Sequence, residues 1–300
     1  MNHEQDRPSQ TNGWLPMSRP RFWPYLLGPF LLGWTTGLPH GLAGASPTDL
    51  VRLAAGLAFF SFPANLFVYG VNDLHDEATD RLNAKKDGYE HALKPELRNI
   101  LRNVAWLVPL AGLAWWLFGW SGASPFQKTE ALVGFGGFFF LAWQYSAPPI
   151  RAKARPYLDS AFNALYVFPA LVGHALTNAG QAFPAWQALL AGWLWCGAMH
   201  AFSAVPDIHA DRSAGLETVA TRLGTAGTIG ICGLAFAGAG VLSAPWLGGL
   251  GYAGAAWYAG LMALAWHRRN EPSKLFELYR CFPWINVAAG FLAWAWLAVR

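Results

Sequence analysis

The chain has 300 residues, 54% hydrophobic and only 13% charged, a balance too apolar for an ordinary soluble domain. Twenty-one Lys and Arg against seventeen Asp and Glu leave a formal charge of +4, too modest to argue for nucleic-acid binding. Seventeen Trp and twenty Phe fit a chain that packs helices in a bilayer and anchors them at its interface.

The first twenty residues are polar and lack the apolar core of a cleavable signal, so they read as a polar cytoplasmic tail (1–20) ahead of a single membrane domain (21–300). Apolar runs long enough to cross the hydrocarbon layer as helices then recur to the end of the chain. Nine are expected, at 22–43, 50–71, 99–119, 130–147, 157–178, 184–205, 226–246, 248–267 and 283–299, with the Gly-rich boundary between the seventh and eighth the least defined. The fold class is therefore an all-α integral membrane protein. Cys196, Cys232 and Cys281 lie in or beside apolar runs without CxxC or metal spacing, and are expected as inert packing.

Nine spans put the N-terminus and the even-numbered connections on one side. That side collects Arg7, Arg19, Arg21, Arg81, Lys85, Lys86, Lys94, Arg98, Arg102, Arg151, Lys153, Arg155, Arg212, Arg222, Arg268, Arg269, Lys274 and Arg280. The other side keeps Arg52, Lys128 and Arg300. The positive-inside rule then expects the N-terminus in the cytoplasm and the chain in the cell membrane.

After the second span Asp73, Asp76 and Asp80 are spaced three and then four residues apart and share a helical face, with Asn72 four before Asp76. After the sixth, Asp207 and Asp211 are again four apart. Like charges so placed repel unless a cation neutralises them. Oxygen ligands without Cys or His partners suit Mg²⁺, which commonly bridges carboxylates to a substrate's phosphates, so the two clusters can hold one diphosphate between them. His75 and His209, inside the clusters, read as solvated bystanders. The bland reading, carboxylates merely solvated beyond a span, fits one aspartate better than five gathered in two groups of a charge-poor chain.

The stretch Asn72-Asp73-Leu74-His75-Asp76-Glu77-Ala78-Thr79-Asp80 resembles the NDxxDxxxD signature of the UbiA-type intramembrane prenyltransferases, and Asp207/Asp211 their DxxxD signature. Many members carry a further aspartate three residues before the second signature, where this chain has Ala204. The segments SRPRFWPYLLGP, YSAPPIRAKARPYLDS and PDIHADRSAGLETVATRLG look most like the lycopene elongase branch, whose members add C5 prenyl units to carotenoid ends. The resemblance implies helices around a lipid-open cavity, with a prenyl diphosphate donor, a hydrophobic acceptor, membrane lipid as surroundings and Mg²⁺ as cofactor. It implies Asp73, Asp76, Asp80, Asp207 and Asp211 as catalytic metal ligands. Asn72, Lys153, Arg21, Arg81, Lys85, Arg212 and Tyr145 are then the candidates for holding the diphosphate, Lys153 foremost. An aromatic quinone precursor or tetrapyrrole as acceptor, lipid phosphotransfer, and a transporter are the alternative readings.

Overall fold

The computed structural model describes residues 14–80, 97–120, 122–177 and 184–299, the side chains of 76–80 excepted. Among the described residues there is helix and no strand, and nine helices reach ten residues or more. They are α1 (Pro24–Gly37), α2 (Pro47–Asp80), α3 (Arg98–Phe118), α4 (Pro125–Ser146), α5 (Phe168–Thr177), α6 (Trp186–Ser203), α7 (Val219–Leu247), α8 (Gly249–His267) and α9 (Pro272–Ala298). Each matches one of the nine expected spans. Five of them are long and apolar enough by themselves to cross a membrane: α2, α3, α6, α7 and α9. Large apolar side chains on their outer surfaces, among them Trp106, Leu234 and Trp284, are exposed, as a lipid-facing belt requires.

Local signals account for several helix starts. Ser46 and Asp49 exchange hydrogen bonds ahead of α2, Ser124 and Gln127 form a capping box with Pro125 at the first position of α4, and Thr218 and Thr221 do the same for α7. Gly248, with φ 57°, ends α7 and opens α8. Gly224, with φ 68°, kinks α7 one turn after its start.

Two expected spans differ from uninterrupted helices. The first ends at Gly37, before the Pro39 that cannot continue it. The fifth is divided: a short turn at Leu158–Ala161, a 3₁₀ stretch at Phe162–Tyr166, and then α5 with Pro169 at its second position. The tail also enters the fold earlier than residue 21, because Trp14–Met17 is helical and Met17 packs with Leu66 and Leu101.

The packing falls into two bodies. One core, centred on Phe30, Phe60, Phe67, Phe135 and Phe138, joins α1 to α5. Here α1 and α5 touch backbone to backbone: a Cβ at Gly33 would collide with the Ala170 carbonyl, and one at Gly173 with that of Phe30. A second core, centred on Phe202, Phe236, Tyr258, Met262 and Phe282, joins α6 to α9. α9 returns to the first body through Trp294 Nε1, which donates to Thr35 Oγ1 at 2.9 Å. The space left between the two bodies is the site.

Candidate functional site

A cavity of about 290 Å³ lies between the two bodies, with α2, α4 and the Ala152–Ala154 turn on one side and α6 on the other. Along α6 the lining residues Trp195, Cys196, Met199, His200, Ser203 and Ala204 recur at helical spacing, and the row continues to Asp207. The cavity is therefore polar at the end of α6 and aromatic deeper along it.

The polar end holds Arg19, Asn72, Lys153, Asp207 and Asp211. Asp207 closes the 3₁₀ turn Val205–Asp207, and Asp211 lies one turn on in the short helix Ile208–Ser213. Asn72 is oriented by Ser146, whose hydroxyl donates to Asn72 Oδ1 at 3.1 Å, which ties α2 to the end of α4. Asp73 is 2% exposed and accepts from Arg19 Nη2 at 2.9 Å. The Arg19 guanidinium also lies over the Tyr69 ring, 4.6 Å from its centroid. Arg19 has φ 49°, a left-handed conformation that costs a non-glycine residue about 1 kcal/mol and here turns the side chain inward. Arg151, with φ 46°, adopts the same conformation at the turn that carries Lys153. Lys153 is buried in the wall, and this burial pushes its ammonium down to about 8, with Asp73 pulling the other way.

The deeper wall is aromatic. Phe22, Tyr25, Tyr69, Tyr166 and Trp195 line it, with ring centroids about 6 Å apart. The Tyr69 and Tyr166 hydroxyls are 3.4 Å apart. Tyr145 lines the cavity nearer the polar end, its hydroxyl 3.3 Å from His200 Nε2.

Of the residues singled out in the sequence, Asn72, Tyr145, Lys153, Asp207 and Asp211 thus border one cavity, and Asp73 joins it through Arg19. Arg21 is exposed, its guanidinium 5.6 Å from the Phe22 ring centroid, and is not among the lining residues. Arg212 is exposed and donates to the Thr221 carbonyl at 3.0 Å. The side chains of Asp76 and Asp80, and all of Arg81 and Lys85, lie outside the described residues. Sequence reasoning missed three contributors. Arg19 stands close beside Arg21 in the sequence, and only its backbone conformation separates the two. Asp159, read as belonging to the fifth span, is buried and accepts from the Val219 N–H at 2.8 Å, pinning the start of α7 beside the cavity. His200 sits in an apolar run that gives it no local signal.

Among the described residues no three His, Cys, Asp or Glu side chains form a group that could cage a metal by themselves. The donors at the cavity are instead carboxylate and amide oxygens from separate helices with two cations beside them. That set fits Mg²⁺, which takes one or two carboxylates and completes its shell with water and substrate phosphate. Asp73, Asp207 and Asp211 are the described residues that would hold it.

The model of the UbiA prenyltransferase family matches residues 22–287. The chain is 38% identical over 216 residues to a lycopene elongase/hydratase of Halobacterium salinarum, covering 72% of this chain and 73% of that one. It is 39% identical over 221 residues to a lycopene elongase/hydratase of Haloarcula japonica, covering 73% and 69%. Among solved structures, a UbiA homolog from Archaeoglobus fulgidus bound to GPP and Mg²⁺ shares the fold, with a TM-score of 0.61 at 22% identity over 94% of this chain and 99% of that one. The same homolog bound to DMAPP and Mg²⁺ gives 0.59 at 20% identity over 95% and 99%.

Proposed function

The chain belongs to the UbiA prenyltransferase family, and on that premise we propose that it transfers a prenyl group from an allylic diphosphate to a carotenoid end, as a lycopene elongase. It is a prenyltransferase enzyme and a multi-pass membrane protein. The observation that carries the finer reading is one cavity with carboxylates and cations at one end and aromatic rings beyond them. The relatives' names support the carotenoid acceptor, and the complexes of the Archaeoglobus homolog support a short allylic diphosphate with Mg²⁺. The sidedness of the basic residues supports a site and an N-terminus on the cytoplasmic face.

In this reading Asp73, Asp76, Asp80, Asp207 and Asp211 would hold a Mg²⁺ ion. Bound Mg²⁺ offsets the diphosphate's charge and makes it a better leaving group. Lys153 and Arg19 take up the charge that grows on the departing oxygen as the allylic C–O bond breaks. The electron pair leaves with the diphosphate. The aromatic wall excludes water and presents ring faces to the allylic cation. The acceptor's terminal double bond then supplies the electrons of the new C–C bond, and the resulting cation loses a proton or captures water.

The test is expression in a lycopene-producing bacterial host that makes dimethylallyl diphosphate, beside an Asp73→Ala/Asp207→Ala variant, with pigments read by mass spectrometry. Pigments heavier by one or two C5 units, absent from the variant, are expected. Untouched lycopene together with prenylation of a co-fed aromatic acid would replace the carotenoid acceptor with an aromatic one.

A further inference from the structure

The deeper part of the cavity is lined by rings, and one of those rings is held from behind. Tyr25 on α1 packs against Tyr166 at 6.0 Å and against Trp195 at 6.2 Å, centroid to centroid, and all three line the cavity. Eight residues separate Trp195 from Ser203 on the lining face of α6, about 12 Å of helix rise, so these rings lie well below the polar end. Behind them Asn286 of α9, 5% exposed and outside the lining, donates from Nδ2 to the Tyr25 hydroxyl at 3.0 Å. Its Oδ1 accepts from the Tyr258 hydroxyl of α8 at 2.6 Å, and Nδ2 also lies 3.2 Å from the Met199 sulfur.

Asn286 is a polar residue inside an apolar helix, and its partners come from three other helices, α1, α6 and α8. As helix glue it needs no connection to a site. Here, however, two of its three partners, Tyr25 and Met199, line the cavity. Tyr25 packs on the first body, whereas Tyr258 and Met199 belong to the second and Asn286 lies on α9, one of its helices. The chain of hydrogen bonds therefore fixes a ring of one body against the other at the bottom of the space between them.

We propose that the Tyr258–Asn286–Tyr25 chain sets the floor of the cavity and so the length of prenyl donor the site takes, Tyr25 as the ring the donor's hydrocarbon meets and Asn286 as its positioning residue. This rests on the reading of the cavity as a prenyl diphosphate site. A floor held by oriented hydrogen bonds resists displacement, because moving Tyr25 aside breaks the bond its hydroxyl accepts from Asn286 Nδ2 in an apolar interior. A donor one isoprene unit too long must meet that resistance, whereas a shorter one does not.

The experiment is equilibrium binding of radiolabelled dimethylallyl, geranyl and farnesyl diphosphates, with Mg²⁺, to the full-length protein in lipid nanodiscs. The quantity compared is the affinity for each longer donor relative to that for the dimethylallyl donor. Tyr25→Ala is expected to shift this ratio toward longer donors by about tenfold or more, the scale on which a hydrophobic pocket discriminates added methylenes. Asn286→Val is expected to shift it the same way by a smaller factor, and Tyr25→Phe, which keeps the ring, less than Tyr25→Ala. Tyr258→Phe keeps its packing and removes one bond of the chain, so it reports the floor even where Tyr25→Ala yields no folded protein. A purely structural role would weaken all three donors alike and leave the ratio unmoved, which would overturn the floor assignment alone. No binding of any donor by the wild-type protein would overturn the diphosphate reading itself, and this inference with it.

Discussion

Two of the buried carboxylates among the described residues each face a basic side chain, and their surroundings differ. Asp73 is paired with Arg19 at a cavity that also holds Lys153, Asp207 and Asp211. Glu130, 0% exposed, is paired with His174 Nδ1 at 2.7 Å between α4 and α5. Both lie near α4, whose far end at Ser146 touches Asn72, but sixteen residues, about 24 Å of helix rise, separate Glu130 from Ser146. Neither acid is itself among the lining residues, but Asp73 reaches the cavity through its partner Arg19, whereas His174, the partner of Glu130, lies outside the lining, and Glu130 Oε2 has no hydrogen-bond partner. Burial and pairing alone therefore do not mark a functional acid. What sets Asp73 apart is a partner that lines a cavity shared with other charges.

Breaking the comparison at the cavity end should have the largest effect. Asp73→Ala or Asp207→Ala should lower kcat/KM for the diphosphate donor by about 10³-fold, on the scale of losing one electrostatic stabiliser of developing charge. The thermal midpoint of Asp207→Ala should stay close to wild type, while that of Asp73→Ala should fall as well, because the variant removes the carboxylate that faces the largely buried Arg19. At the other end the pattern should invert: Glu130→Ala should destabilise the protein by about 3 kcal/mol, because it strands a buried histidine. Activity per folded molecule should remain within about threefold there, since no cavity residue is touched. The double variant Glu130→Leu/His174→Leu should recover much of the stability, as replacing a whole buried pair commonly does. A Glu130 variant that folds normally yet loses catalysis would erase the distinction drawn between the two acids.

A finer test concerns protonation. Lys153 carries its charge below about 8 and loses it above, the direction set by burial. Its contribution to donor capture should be present at neutral pH and fade as pH rises through that value, seen as a falling alkaline limb of kcat/KM. In Lys153→Arg the guanidinium stays charged throughout, so the limb should move out of the accessible range while the neutral-pH value falls modestly. The smallest effects are expected at Arg21 and Arg212. Both are exposed and outside the lining, so Arg21→Ala and Arg212→Ala should each change kcat/KM by no more than about threefold, against about a hundredfold for Arg19→Ala.

Much of the architecture is legible in the chain itself. The nine apolar runs and the break at Gly248 can be read from hydropathy and glycine placement, and each run has its helix. The two aspartate groups can be read from spacing; Asp207 and Asp211 line one cavity, and Asp73 joins it through Arg19. The divided fifth span is less legible: hydropathy reads 157–178 as one run, whereas in the structure Asp159 accepts from the Val219 N–H at the start of α7 and the straight helix begins only at Phe168. Arg19 cannot be told from Arg21, because both belong to the same polar stretch and the choice turns on one left-handed backbone angle. Asn286 stands out as a lone amide in an apolar run, but nothing local says which helices it bonds.

What the sequence determines by itself is therefore what the bilayer demands segment by segment: which stretches are helical, where they end, and which ends carry acid. Each of those demands is met within about twenty neighbouring residues, by internal hydrogen bonding and an apolar surface. Only the tertiary structure decides which side chains outside or across those helices converge. Arg19 finds Asp73 across 54 residues, and Asn286 finds Tyr25 across 261. Such contacts depend on how distant helices pack and, for Asn286 and Tyr25, on how the two bodies settle against each other, and no local periodicity encodes that.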